Sequence, residues 1–148
     1  MNAANAANGL VRLFYAVTYW AKNIDRELLE KSRPLLTQKE RLLIDSHPTL
    51  GKEILESLES IPPEVIDIAH QHHENCLGQG LPQKLQKSKI HPLAKVVHVA
   101  NIFCEYAIKY RSDIMPISAE AAIKAMEKDH REEIDREAFN ALKQLFKM

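Results

Sequence analysis

Apolar residues recur at helical spacing along most of the chain. Leu10, Leu13, Phe14 and Val17 fall at i, i+3, i+4 and i+7, the stripe of an amphipathic helix over about residues 10–22. Ile24, Leu28 and Leu29 either continue that helix or begin a short second one, and Pro34 ends the stretch. Thr37 and Glu40 then form a capping-box pattern: the hydroxyl and the carboxylate can satisfy free N–H groups at a helix start. That helix carries Leu42, Leu43 and Ile44. His47-Pro48 interrupts it, and Pro48 suits the first position of a following helix with Leu50, Ile54, Leu55 and Leu58 on its apolar face. Pro62-Pro63 breaks the chain again. The pattern then predicts a helix over about residues 63–75 with Val65, Ile66, Ile68 and Ala69 inward. Residues 77–89 combine Gly and Pro with Lys and Gln and read as a surface loop. The longest helix is expected over about residues 92–110, with Val96, Val99, Phe103 and Ala107 inward. Ser118 can cap a helix reaching Lys128, and Asp135 a last one reaching Lys147. No segment alternates with β-branched residues, so the fold class is all-α, a compact bundle of about six or seven helices.

Composition narrows the function classes. With 148 residues the chain is long enough for one buried core. Lys plus Arg is 20 and Asp plus Glu is 20, a balance that argues against binding a nucleic-acid polymer. Apolar residues at 45% and charged residues at 27% describe an ordinary globular domain. Cys76 and Cys104 are the two cysteines, too few for a disulfide scaffold and compatible with a reducing cytoplasm. Residues 1–9 form an Asn/Ala-rich segment expected to be flexible, and residues 10–148 one helical domain. The apolar stretch 10–20 contains Arg12, is too short to span a bilayer and follows no cationic region. The expectation is a cytoplasmic protein without a membrane partner.

Histidine carries the candidate chemistry. His70, His72 and His73 precede Glu74, and neutral imidazole is a common metal ligand. On a helix His72 and His73 would point about 100° apart and could border a shared pocket, while His70 and His73 would share a face. The competing reading is a solvated helix end with incidental histidines. His47 stands at a helix junction. His98 and Asn101, three apart on the long helix, could meet on one face, and a buried Asn101 would need hydrogen bonds. His91 and His130 read as surface positions. Gly78-Gln-Gly80 alone is a weak phosphate-loop signal, because no Lys-Ser/Thr follows it.

Together these residues look like a known pattern. His72-His73-Glu74, followed by Gly78, Gly80, Leu81 and Pro82, resembles the HHE…GxGYP signature of the HD-GYP family of cyclic-di-GMP phosphodiesterases. Upstream, Leu36-Thr37 with Glu40, then Ile44, His47-Pro48, Gly51 and Ile54-Leu55, is similar to that family's LTxxE…IxxHPxxGxxIL stretch. Residues 90–101 and Phe103 look like its helix ending in VADxF. The resemblance spans about residues 18–110.

Counting back from Leu36-Thr37 without gaps, the family's HDxGK falls on Thr18 to Lys22. Lys22 is retained as a match to the family's catalytic-site lysine. The His-Asp pair is replaced by Thr18 and Tyr19, Asn101 stands for a metal-ligating Asp, Leu77 for the loop Asp, and Leu81 for the Tyr of GYP. His47, His72 and His73 remain as candidate ligands. The resemblance implies two-metal hydrolysis in intact members. Three neutral histidines without a carboxylate balance two dications poorly, so either one transition-metal ion (Fe, Mn or Zn) or none is expected here.

The favoured reading is a degenerate HD-GYP-like module without phosphodiesterase activity, acting in cyclic-dinucleotide-linked signalling. The alternatives are a metal-dependent phosphohydrolase with a mononuclear His site, and an HDOD-like interaction domain. Whether the chain is an enzyme is left open, leaning to no. A GGDEF-type or other signalling protein is the implied partner, though the loss of the GYP Tyr at Leu81 weakens that. Lys22, Lys84, Lys87 and Lys95 are candidates to line a cyclic-dinucleotide pocket, against a plain solvated role. The chain is short before the HD positions, so an apolar face on Leu13, Phe14 and Val17 would favour a homodimer through the N-terminal helix.

Overall fold

A computed structural model describes residues 28, 31, 33–107 and 115–147. The expected N-terminal helix, with Thr18, Tyr19 and Lys22, lies outside the described residues, as does the end of the long helix beyond residue 107.

A 3-10 turn, Arg33–Leu35, leads into α1 (Gln38–Asp45). Both halves of the capping box form at its start: Glu40 N–H donates to the Thr37 hydroxyl at 3.3 Å and Thr37 N–H to the Glu40 carboxylate at 2.7 Å. Lys31 donates to that carboxylate at 2.9 Å. These contacts hold the Glu40 carboxyl at about 2, with the Lys31 hydrogen bond as the largest cause and those from Thr37 next. The helix is therefore fixed by its cap rather than by burial. No residue of α1 is buried, and Leu42 and Leu43 are exposed.

Ser46 separates α1 from α2 (His47–Glu56), so His47 rather than Pro48 opens the helix. Leu55 of α2 packs on Ala69 of α3 (Pro63–Gln71), flanked by Ile61, Val65 and Ile66. Leu58, expected on the α2 face, lies past its end and is exposed. The loop after α3 closes with a 3-10 turn, Lys87–Lys89, and delivers α4 (Pro92–Ala107). α4 packs against α3 on one side and against α5 (Ala119–Asp129) and α6 (Arg136–Leu145) on the other.

The main core sits there: Val99 and Ile102 of α4, Ile123 and Met126 of α5, Ile134, and Phe139 of α6 are all buried. Val96, expected inward, is half exposed, because α4 turns His98, Val99 and Ile102 to its neighbours instead. Ser118 and Asp135 cap α5 and α6 as expected. The architecture is all-α. Among the described residues there is no strand, only an isolated antiparallel bridge between His73 and Leu81, and no helix is long and apolar enough to cross a membrane.

Candidate metal centre

Two adjacent histidines, His72 and His73, meet His47, 25 and 26 residues before them, between α2 and the end of α3. His47 Nε2 lies 3.0 Å from His72 Nε2 and 3.2 Å from His73 Nε2. His47 and His72 are buried and His73 is half-buried. Among the described residues these three form a group of ligand-type side chains near enough to share one ion, their donor atoms all within 4.8 Å of one another.

Backbone carbonyls set the tautomers. His47 Nδ1 is 2.6 Å from the Ile44 carbonyl, and His72 Nδ1 is 2.7 Å from that of Ala69. A carbonyl only accepts, so each Nδ1 carries the proton and donates. In the neutral rings each of these two Nε2 atoms then carries a lone pair, and the two atoms stand 3.0 Å apart. One proton can bridge only one pair of nitrogens at a time. A metal cation can accept all three, and nitrogens sharing a tetrahedral zinc ion at ~2.05 Å would stand about 3.4 Å apart, close to the spacing here. The donor set therefore fits one ion. It contains no carboxylate with which to balance a second.

The meeting of His72 and His73 depends on where α3 stops. It ends at Gln71, not near Asn75 as the apolar pattern implies. His72 becomes the C-cap and its ring turns back to cap the Ala69 carbonyl. His73 leaves the helix altogether and bridges Leu81, whose N–H donates to its carbonyl at 3.0 Å. The two rings thereby come to 4.1 Å between centroids. The helical geometry that would have set them about 100° apart does not apply, and His70 and His73 do not share a helical face. His70 stays on the last turn of α3, half-buried, with burial pushing its imidazole below its usual range.

Glu74 is no ligand. It is 1% exposed, and its carboxylate accepts from Gln83 N–H at 2.6 Å and Leu85 N–H at 2.8 Å. The side chain thus pins the loop holding Gly78, Gly80, Leu81 and Pro82 against the histidine segment. Gly80 lies so close to it that a Cβ would stand under 3.0 Å from His73 O, Asn75 N and Glu74 Cα. Gly78 takes a positive φ of 68° at the loop's turn.

Asn101 is half-buried on α4. Of the lysines considered for an anion pocket, Lys87 instead pairs with Asp135 at 3.3 Å, and Lys84 is exposed. His130 is more than a surface position: its Nε2 lies 3.2 Å from the Tyr106 hydroxyl and its Nδ1 3.0 Å from Glu133.

His98 plays a part that spacing did not suggest. It is buried, and its Nδ1 donates to the His72 carbonyl at 3.1 Å. Burial pushes its imidazole below the usual range, against the opposite pull of that hydrogen bond. The signal in sequence is a lone imidazole flanked by Val97 and Val99 in an apolar run.

The HD domain family matches residues 23–138 of this chain. No curated protein matches it. Among solved structures, an HDG"Y"P protein from Bdellovibrio bacteriovorus is similar, at 23% identity with a TM-score of 0.64 over 81% of this chain. The match spans 37% of that protein's chain, and at this identity it shows a shared fold.

Proposed function

This chain belongs to the HD domain family, and from that membership we propose that it is an HD-GYP-like signalling module that holds one transition-metal ion on His47, His72 and His73. In this reading it serves cyclic-dinucleotide-linked regulation without two-metal phosphodiesterase chemistry. The observation that carries the reading is the convergence of three Nε2 atoms, in two of which the ring's other nitrogen, Nδ1, is held by a backbone carbonyl.

Imidazole donors suit iron and zinc, and also manganese where oxygen ligands join them. A bound ion would supply Lewis acidity toward a phosphoryl oxygen. The chain's own residues do the positioning. Ile44 and Ala69 carbonyls fix ring tilt and tautomer and raise ligand basicity, as outer partners of metal-bound histidines do. His72 also sits at the C-terminal end of α3, where the helix dipole favours a cation. Glu74 and Gly80 hold the motif loop beside the site.

The case against a second ion rests on the motif alignment, which places Tyr19 and Asn101 where the HD-GYP pattern has carboxylates. Neither is an anion near neutral pH. A second reading follows from the same donor set: three protein ligands with an open position are also a catalytic zinc pattern, so a mononuclear phosphohydrolase uses these same residues.

Elemental analysis of protein purified without an affinity metal, paired with a cyclic-di-GMP hydrolysis assay, separates the cases. One equivalent per chain and no turnover is the expected result. One equivalent with turnover establishes the mononuclear hydrolase, and two equivalents with turnover overturn the proposal in favour of an intact phosphodiesterase. No metal at all overturns it in favour of an HDOD-like interaction domain.

A further inference from the structure

We propose that His98 is a positioning residue of the histidine cluster: from α4 it fixes the carbonyl of His72, and with it the peptide plane that joins His72 to His73. The inference rests on the metal-binding reading above.

The carbonyl of His72 lies just past the end of α3, where backbone acceptors have no partner within the helix. His98 Nδ1 supplies one at 3.1 Å. The next carbonyl, that of His73, is held by Leu81 N–H at 3.0 Å. Two consecutive carbonyls are thus held by different elements, one by α4 and one by the motif loop. The orientation of the peptide between them sets the angle between the two rings, which stand 42° apart in plane.

Packing alone does not account for an imidazole here. With Nδ1 committed as donor to a carbonyl, Nε2 is left as an acceptor, and it is buried without a hydrogen-bond partner among the described residues. An apolar side chain would fill the same space between Val97 and Val99 without burying a bare nitrogen. The donor end of the ring is the part with a use. It also ties α4 to the ligand set although Asn101 brings no charge to it.

Cobalt(II) titration followed by visible absorption, with thermal melting of the metal-free protein in parallel, tests this on the full chain. His98→Phe keeps an aromatic ring at the position and removes the donor. It is expected to bind cobalt at least tenfold more weakly, with an altered ligand-field spectrum, while the metal-free melting temperature moves by only a few degrees. His98→Asn places an amide N–H near the position of Nδ1 and is expected to restore affinity and spectrum. His98→Gln carries the same amide one bond further out and is expected not to, which keeps the comparison open if His98→Phe does not fold.

Wild-type affinity and spectrum in His98→Phe or His98→Gln overturn the proposal. So does an affinity loss shared equally by His98→Asn and His98→Gln. Failure of the wild-type protein itself to bind cobalt is a different result: it removes the metal reading, and this inference with it.

Discussion

Gly80 and Glu74 show how much of the site is held by main chain. A methyl group at residue 80 would meet three backbone atoms of residues 73–75, none of which can swing aside as a side chain would. Gly80→Ala is therefore expected to push the loop away and abolish cobalt binding, with new protease cleavage in residues 78–89 as the second readout. Glu74→Gln leaves one acceptor oxygen for two N–H donors, those of Gln83 and Leu85. The loss is expected to be roughly 1–3 kcal/mol in urea unfolding, because a buried donor is left unsatisfied. His47, His72 and His73 were legible from residue type and motif. The role of Glu74 was not, since its partners are backbone N–H groups that any sequence supplies. His98 was hidden for the same reason: its partner is a carbonyl 26 residues away.

Caps were the most legible feature among the elements, because they are written in residues three apart. Thr37→Ala should cost about 1 kcal/mol, read as a lower urea midpoint with an unchanged slope. The capping carboxylate also gives α1 a pH dependence. Glu40 titrates at about 2 in the fold against 4.5 as the ordinary value. The folded state holds its proton less tightly, so this contribution is fully present above pH 4.5 and is lost as pH falls toward 2. Thermal melts of Glu40→Gln between pH 5 and 2 are expected to fall less steeply than those of the parent. The C-terminal end of α3 was less legible. The apolar pattern of α3 runs on past Gln71, but His72 folds back onto Ala69 and His73 joins Leu81, and neither bond leaves a mark on periodicity. On α4 the valines at 96, 97 and 99 blur which face is inward, and Val96 proves to be half exposed.

Among the described residues there are two packing centres, Leu55 with Ala69 between α2 and α3, and the larger cluster around Phe139 where α4, α5 and α6 meet. Phe139 is fully buried, so Phe139→Ala is expected to cost about 3–5 kcal/mol in global stability, measured by denaturant unfolding. The all-α class was legible because helical periodicity and caps agree along the chain. The division into two centres was not, since it depends on which faces meet across distant helices. That division bears on how the chain folds. His47, His72 and His73 all belong to one stretch, α2 through the end of α3, with separations of 25 and 26 residues. Contacts so local carry a modest loop-closure entropy, which grows only with the logarithm of the separation. In kinetic terms the His47–His73 and His72–His98 contacts close loops of equal length, 26 residues each, so neither has an entropic lead over the other. The helical hairpin and its tie to α4 are therefore expected to assemble together, which makes the ligand set part of one cooperative unit with the α4–α6 core.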